Sequence, residues 1–95
     1  MSLAYRHLVQ TPNGDTEIAG RGLRVYTVLG LKEAGDTPEV IADAYNLPLG
    51  AVYEALAYAA DHPEEMEAIR QAELAIQREM LLRIPEELRR DIPIP

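Results

Sequence analysis

The sequence predicts a mainly α fold, with a short N-terminal β-arm, a three-helix core and a long C-terminal helix. Three observations carry that expectation. Between Asp36 and His62, two runs of apolar residues recur at helical spacing with only a short break between them. Ahead of them, period-two alternation runs into a dense turn signal. Behind them, one helical pattern continues from Pro63 to Pro85 with neither glycine nor proline inside it.

Taken in order, Leu3, Tyr5, His7 and Val9 alternate with Ala4, Arg6, Leu8 and Gln10, the period of a strand. Thr11-Pro12-Asn13-Gly14-Asp15 is a turn, with Asn-Gly suited to positive φ, and Glu17-Ile18-Ala19 returns as a second short strand. Gly20-Arg21-Gly22 permits a sharp bend before Leu23 and Val25 turn inward. It lacks the spacing and the lysine of a nucleotide-binding loop, so a plain turn is the preferred reading.

A first helix is expected from Val25 or Tyr26 to Ala34, with Gly35 closing it. Thr37 is a good N-cap and Pro38 a good first residue for the second helix, in which Val40, Ile41, Ala44 and Tyr45 form an apolar stripe. The pattern stops at Asn46. Leu47-Pro48 restarts it, and Leu49, Val52, Leu56 and Ala59 or Ala60 mark the buried face of a third helix. Helix, short turn and longer helix make a helix-turn-helix, homeodomain-like or winged-helix-like once the first helix is added.

On a wheel drawn from Leu49, Gly50, Glu54 and Asp61 fall away from that core, flanked by Ala51, Ala55 and Tyr58. Arginine, lysine, asparagine and glutamine are absent from Pro48 to Ala60, although purine edges are read with those side chains and phosphates are clamped by cations. A small-residue packing surface is therefore preferred over a groove-reading one, with Tyr58 its most exposed aromatic and an interface candidate.

Asp61-His62-Pro63-Glu64 breaks the third helix and starts a fourth. Glu64, Glu65 and Glu67 crowd the positive end of its dipole, which explains them without a divalent ion. Met66, Ile69, Ile76 and Met80 lie on one stripe and Leu74 and Leu81 on another. Two stripes suggest two partners: the helix-turn-helix core for the first, a symmetry mate or another protein for the second. One wide face buried in the monomer is the alternative. Ile84-Pro85 ends the helix, residues 86–90 add a turn, and residues 92–95 should be extended. The chain thus divides into an arm plus helix-turn-helix part, 1–62, and a dimerisation or partner-binding part, 63–95.

Ninety-five residues make a small core, for which a homodimer is a reasonable source of extra stability. The chain has no cysteine, which excludes disulfides and thiolate metal sites. No run is long and apolar enough to span a bilayer and no leader is visible, so a cytoplasmic protein without membrane association is expected. The net charge of −7 argues against a nonspecific hold on nucleic acid. It is unevenly spread. Residues 36–82 carry only Arg70 and Arg78 among their acids, whereas the first third holds Arg6, Arg21, Arg24 and Lys32. A phosphate backbone would accordingly meet Arg6, Arg21 and Arg24 first.

His7 and His62 stand in no metal-ligand spacing, and Ser2 is the only serine. No nucleophile, base pair, metal cluster, cofactor loop or small-molecule site is visible, so an enzyme is the least expected class.

Val9-Gln10-Thr11-Pro12, Ile18-Ala19-Gly20, Leu23-Arg24-Val25, Glu33-Ala34-Gly35, Pro38-Glu39, Ile41-Ala42, Ala44-Tyr45, Val52-Tyr53, Ala55-Leu56-Ala57-Tyr58 and Asp61-His62 together resemble the family called domain of unknown function 433. Where that family usually shows Gly-Thr-Arg, this chain has Gly20-Arg21-Gly22. The resemblance implies a short bacterial helix-turn-helix protein of the VapB-like antitoxin kind, encoded beside a PIN-like ribonuclease toxin. It implies neutralisation of that toxin and autoregulation of the operon by a dimer on operator DNA. Met66, Ile69, Leu74, Ile76, Met80 and Leu81 then become the partner face of the fourth helix, and Arg89 and Arg90 approach the acidic metal site expected of such a nuclease. A stand-alone DNA-binding regulator and a dimeric adaptor without nucleic-acid binding are the alternatives.

Overall fold

The computed structural model describes residues 5–89, the last by its backbone alone. The expectations for Leu3, Ala4, the Arg89 side chain, Arg90 and the extended tail at 92–95 lie outside the described residues. Within them the elements run β1 (Leu8–Gln10), β2 (Thr16–Ile18), β3 (Leu23–Arg24), α1 (Val25–Glu33), α2 (Pro38–Tyr45), α3 (Leu49–Asp61), α4 (Pro63–Arg83) and α5 (Glu86–Arg89). The protein is mainly helical with a small N-terminal sheet, and it separates into two compact units, 1–63 and 64–95.

The sheet of the first unit is a three-stranded antiparallel meander in the order β1-β2-β3. Leu8 pairs with Ile18 and Gln10 with Thr16, and Ile18 pairs with Leu23 on its other side. The Thr11–Asp15 turn closes the first hairpin through Thr11 N–H to the Asp15 carbonyl at 2.8 Å and Gly14 N–H to Thr11 at 2.9 Å. Gly14 sits at φ 93, a conformation that favours glycine. The arm is therefore present but shorter at its start than the alternation suggested. The third strand was not anticipated, because two residues carry no readable period.

Local chemistry sets the helix ends. α1 finishes at Gly35 (φ 115) in a paired closure, Gly35 N–H to Lys32 and Asp36 N–H to Leu31. The Thr37 hydroxyl accepts Val40 N–H at 3.2 Å and Pro38 follows, so α2 starts with one of its orphan amides satisfied. Asn46 then takes the left-handed conformation (φ 53) while Leu47 N–H returns to Ala42 at 2.8 Å. That turn is what points α3 away from α2. α3 enters through Pro48 with no side-chain cap.

α3 packs on α1, α2 and the first two strands, and α1 also packs on β2 and β3. The fully buried side chains Ile18, Val25, Val28, Ile41 and Val52 come from β2 and all three helices, so one core unites them. Two stripes are rotated from their expected positions. In α2 the buried residues are Ile41 and Ala42, while Val40 and Tyr45 are exposed. In α3 they are Ala51, Val52, Ala55, Tyr58 and Ala59, whereas Leu49 is exposed. Ala51 and Ala55, expected at the edge of an outward face, are instead central, because small side chains let the neighbouring elements approach closely.

In the second unit, α4 is a single long helix whose buried residue is Met66. Its surface is laced by Arg70 to Glu67 at 2.7 Å and Arg83 to Glu79 at 2.7 Å, the i,i+3 and i,i+4 spacings that support an exposed helix. The turn expected after Ile84-Pro85 is α5.

Candidate interaction surfaces

Three surfaces follow from this arrangement: the side of α3 beneath the arm, the groove between α2 and α3, and the apolar side chains of α4.

The first is already occupied. The His7 backbone amide donates to Glu54 Oε1 at 2.9 Å, and the His7 ring contacts the other oxygen of that carboxylate through Nδ1. A Cβ added to Gly50 would stand 3.7 Å from the same ring. Further along α3, Tyr5 donates its hydroxyl to Asp61 at 3.3 Å and sets its ring edge-on to Tyr58, with centroids 5.5 Å apart. Thr16 donates to the Tyr58 hydroxyl at 3.2 Å. His62 stacks on the Tyr58 ring at 4.0 Å, and its Nδ1–H is bonded to the Tyr58 carbonyl at 2.9 Å. Gly50, Glu54 and Asp61, the face expected to look outward, and the flanking Tyr58 are thus the seat of the N-terminal arm. Tyr58 is corrected from an exposed interface residue to a buried one, 7% exposed, for that reason.

Burial pushes the Glu54 carboxyl up, but the backbone amide and ring of His7 outweigh it and hold the group below its ordinary value. It is a latch between strand and helix. Sequence reasoning missed it because its partners are separated by 47 residues and neither stands in a local motif.

The second surface is a shallow groove of about 330 Å³ lined by Glu39, Ala42, Asp43 and Asn46 from α2 and its cap, with Leu47 and Leu49 opposite. Tyr53, one turn after Leu49 and 49% exposed, donates its hydroxyl to Glu39 at 3.0 Å. A backbone amide at the start of α2, then Tyr53, hold the Glu39 carboxylate below its ordinary range. The Tyr53 hydroxyl is pushed up by the same carboxylate. From Glu33 to Ile69 the sequence has no lysine or arginine, against carboxylates at Glu33, Asp36, Glu39, Asp43, Glu54, Asp61, Glu64, Glu65 and Glu67.

The third surface is on α4 and α5. Of the expected partner residues, Met66 is buried and Ile69, Leu74 and Leu81 are half-buried. Ile76 and Met80 are more than half exposed, at 54% and 59%. The structure adds Leu82 at 73% and Leu88 at 57%, which lie off both expected stripes.

The three arginines expected to meet phosphate are not alike. Arg6 is exposed ahead of β1, and Arg21 is exposed in the turn between β2 and β3. Arg24 is half-buried, with Nε 3.5 Å from Asp15 and its guanidinium over the Tyr26 ring. That engagement removes it from a free basic surface. Among the described residues no cluster of histidine and carboxylate side chains could hold a metal ion, and no helix is long and apolar enough to cross a membrane.

No curated protein and no solved structure matches the chain. A family model does, described as "Protein of unknown function (DUF433)", and its match over residues 10–59 runs from the end of β1 almost to the end of α3. The matched stretch takes in the first hairpin's turn, β2, β3, α1, α2, the Asn46 turn and most of α3, more than half of the chain, and the chain therefore belongs to the DUF433 family.

Proposed function

We propose that this is an antitoxin-like protein that binds and neutralises a PIN-like ribonuclease through α4 and the residues after it. The observation that carries the reading is the exposure of Ile76, Met80, Leu82 and Leu88 on a helical unit with little buried surface of its own. Apolar side chains left in water at roughly 25 cal/mol per Å² favour a protein partner. Methionine among them suits a face that adapts to its partner. Arg89 and Arg90 follow these side chains in sequence, where they can meet the acidic metal site of a nuclease.

In this reading α1, α2 and α3 form a helix-turn-helix that serves first as a scaffold. Operator contact by a dimer is its secondary role and falls to Arg6 and Arg21, since α3 has no cationic side chain. The test is co-purification with the PIN-like nuclease encoded beside the gene, followed by a ribonuclease assay. A stoichiometric complex with the nuclease silenced is expected; full ribonuclease activity in an excess of this protein refutes the reading.

A further inference from the structure

We infer that the groove between α2 and α3 is a second docking site, and that its occupant is a cationic, apolar protein segment carrying arginine or lysine. Charge and shape point the same way. Glu39 and Asp43 stand one turn apart on the α2 wall, Leu49 and Tyr53 one turn apart on the facing helix, and the groove between them is open to solvent. No cation of the surrounding sequence offsets these carboxylates, because the nearest lysine and arginine in the chain are Lys32 and Arg70. A cleft lined by one sign of charge concentrates the opposite sign. A phosphate backbone is repelled by the same field, so the surface on which a helix-turn-helix would present its groove-reading residues has the wrong sign for nucleic acid.

The exposed apolar pair distinguishes a protein segment from a free cation. Leu49 is 41% exposed beside the carboxylates. A guanidinium or ammonium bonded to Glu39 or Asp43 brings an adjacent aliphatic side chain onto Leu49 and the Tyr53 ring. Tyr53 already donates to one oxygen of the Glu39 carboxylate, which fixes that charge in the wall of the groove.

This site does not involve the exposed apolar groups of α4, and its test does not use the nuclease. The full chain, isotopically labelled, is titrated with a blocked ten-residue peptide of alternating leucine and arginine while amide shifts are followed. Shifts concentrated on Glu39 to Leu49 and on Tyr53 are expected. Asp43→Asn and the charge-neutral Leu49→Ser should each weaken binding about tenfold, the effect of losing a charge-assisted or an apolar contact. Ile76→Ser should leave this binding unchanged. Shifts confined to α4, shifts spread evenly over every acidic segment, an undiminished affinity in Leu49→Ser, or displacement of the peptide by duplex DNA would each overturn the assignment. Thermal melts of both variants, which change exposed residues, check that the fold survives.

Discussion

The two units use the same kinds of side chain to opposite ends. In residues 5–63, apolar groups from a strand and three helices are hidden together, and polar groups at long sequence separation tie the arm to α3. In α4 local pairs join Glu67 with Arg70 and Gln71 and Glu79 with Arg83, and the large apolar groups Ile76, Met80, Leu82 and Leu88 of α4 and α5 face water. On the proposed reading, stability and recognition are drawn from different parts of the chain. Substitutions should separate accordingly: in the first unit they lower melting temperature, and in the second they lower affinity for a partner.

The largest break should come from Ile41→Ala. Ile41 is 1% exposed, and truncation there costs about 2–5 kcal/mol, enough to lower the midpoint of a thermal melt by at least ~10 °C. Ala55→Leu tests the close approach of α3 to its neighbours. Ala55 has no exposed surface, so the added volume should cost about 1–3 kcal/mol by overpacking, read by chemical denaturation. An Ala55→Leu chain as stable as the parent would return α3 to the outward-facing arrangement.

The arm latch gives a smaller effect with a defined pH dependence. Glu54 titrates below its ordinary value of 4.5 in the folded chain, so the unfolded chain binds the proton more readily. Its contribution is complete above pH 4.5 and is lost as pH falls through the lower folded value. Glu54→Gln should cost on the order of 1 kcal/mol near neutrality and flatten that part of the acid limb in a denaturation series. An unchanged acid limb would show that the His7–Glu54 contact adds nothing to stability. Thr37→Ala should cost about 1 kcal/mol by exposing an amide at the start of α2, measurable as a reduced denaturation midpoint.

Much of the first unit could be read directly from residues whose chemistry is local. The Asn-Gly turn, the Thr37-Pro38 start, the Gly35 stop and the Asn46 break each fix backbone geometry within a few positions, and each stands where it was expected. What was not legible is which face of α3 lies under the arm. Apolar spacing alone favoured Leu49, Val52 and Leu56 as the core side. The structure rotates the helix because Tyr58 and Glu54 find partners 42 and 47 residues away in the arm. The groove was missed for a similar reason, since the Tyr53–Glu39 bond joins two helices whose mutual facing apolar spacing does not fix. In α4, periodicity marked Ile76 and Met80 but had no means of marking Leu82 or Leu88, which share neither stripe.

Ile76→Ser combined with Met80→Ser tests the division most directly, with melting temperature and affinity for the proposed PIN-like nuclease partner measured on the same preparation. Both residues are exposed, so a stability change within about 0.5 kcal/mol is expected, together with a loss of about thirtyfold or more in affinity. A variant that melts several degrees lower yet holds the nuclease as tightly as the parent would contradict the assignment of recognition to α4.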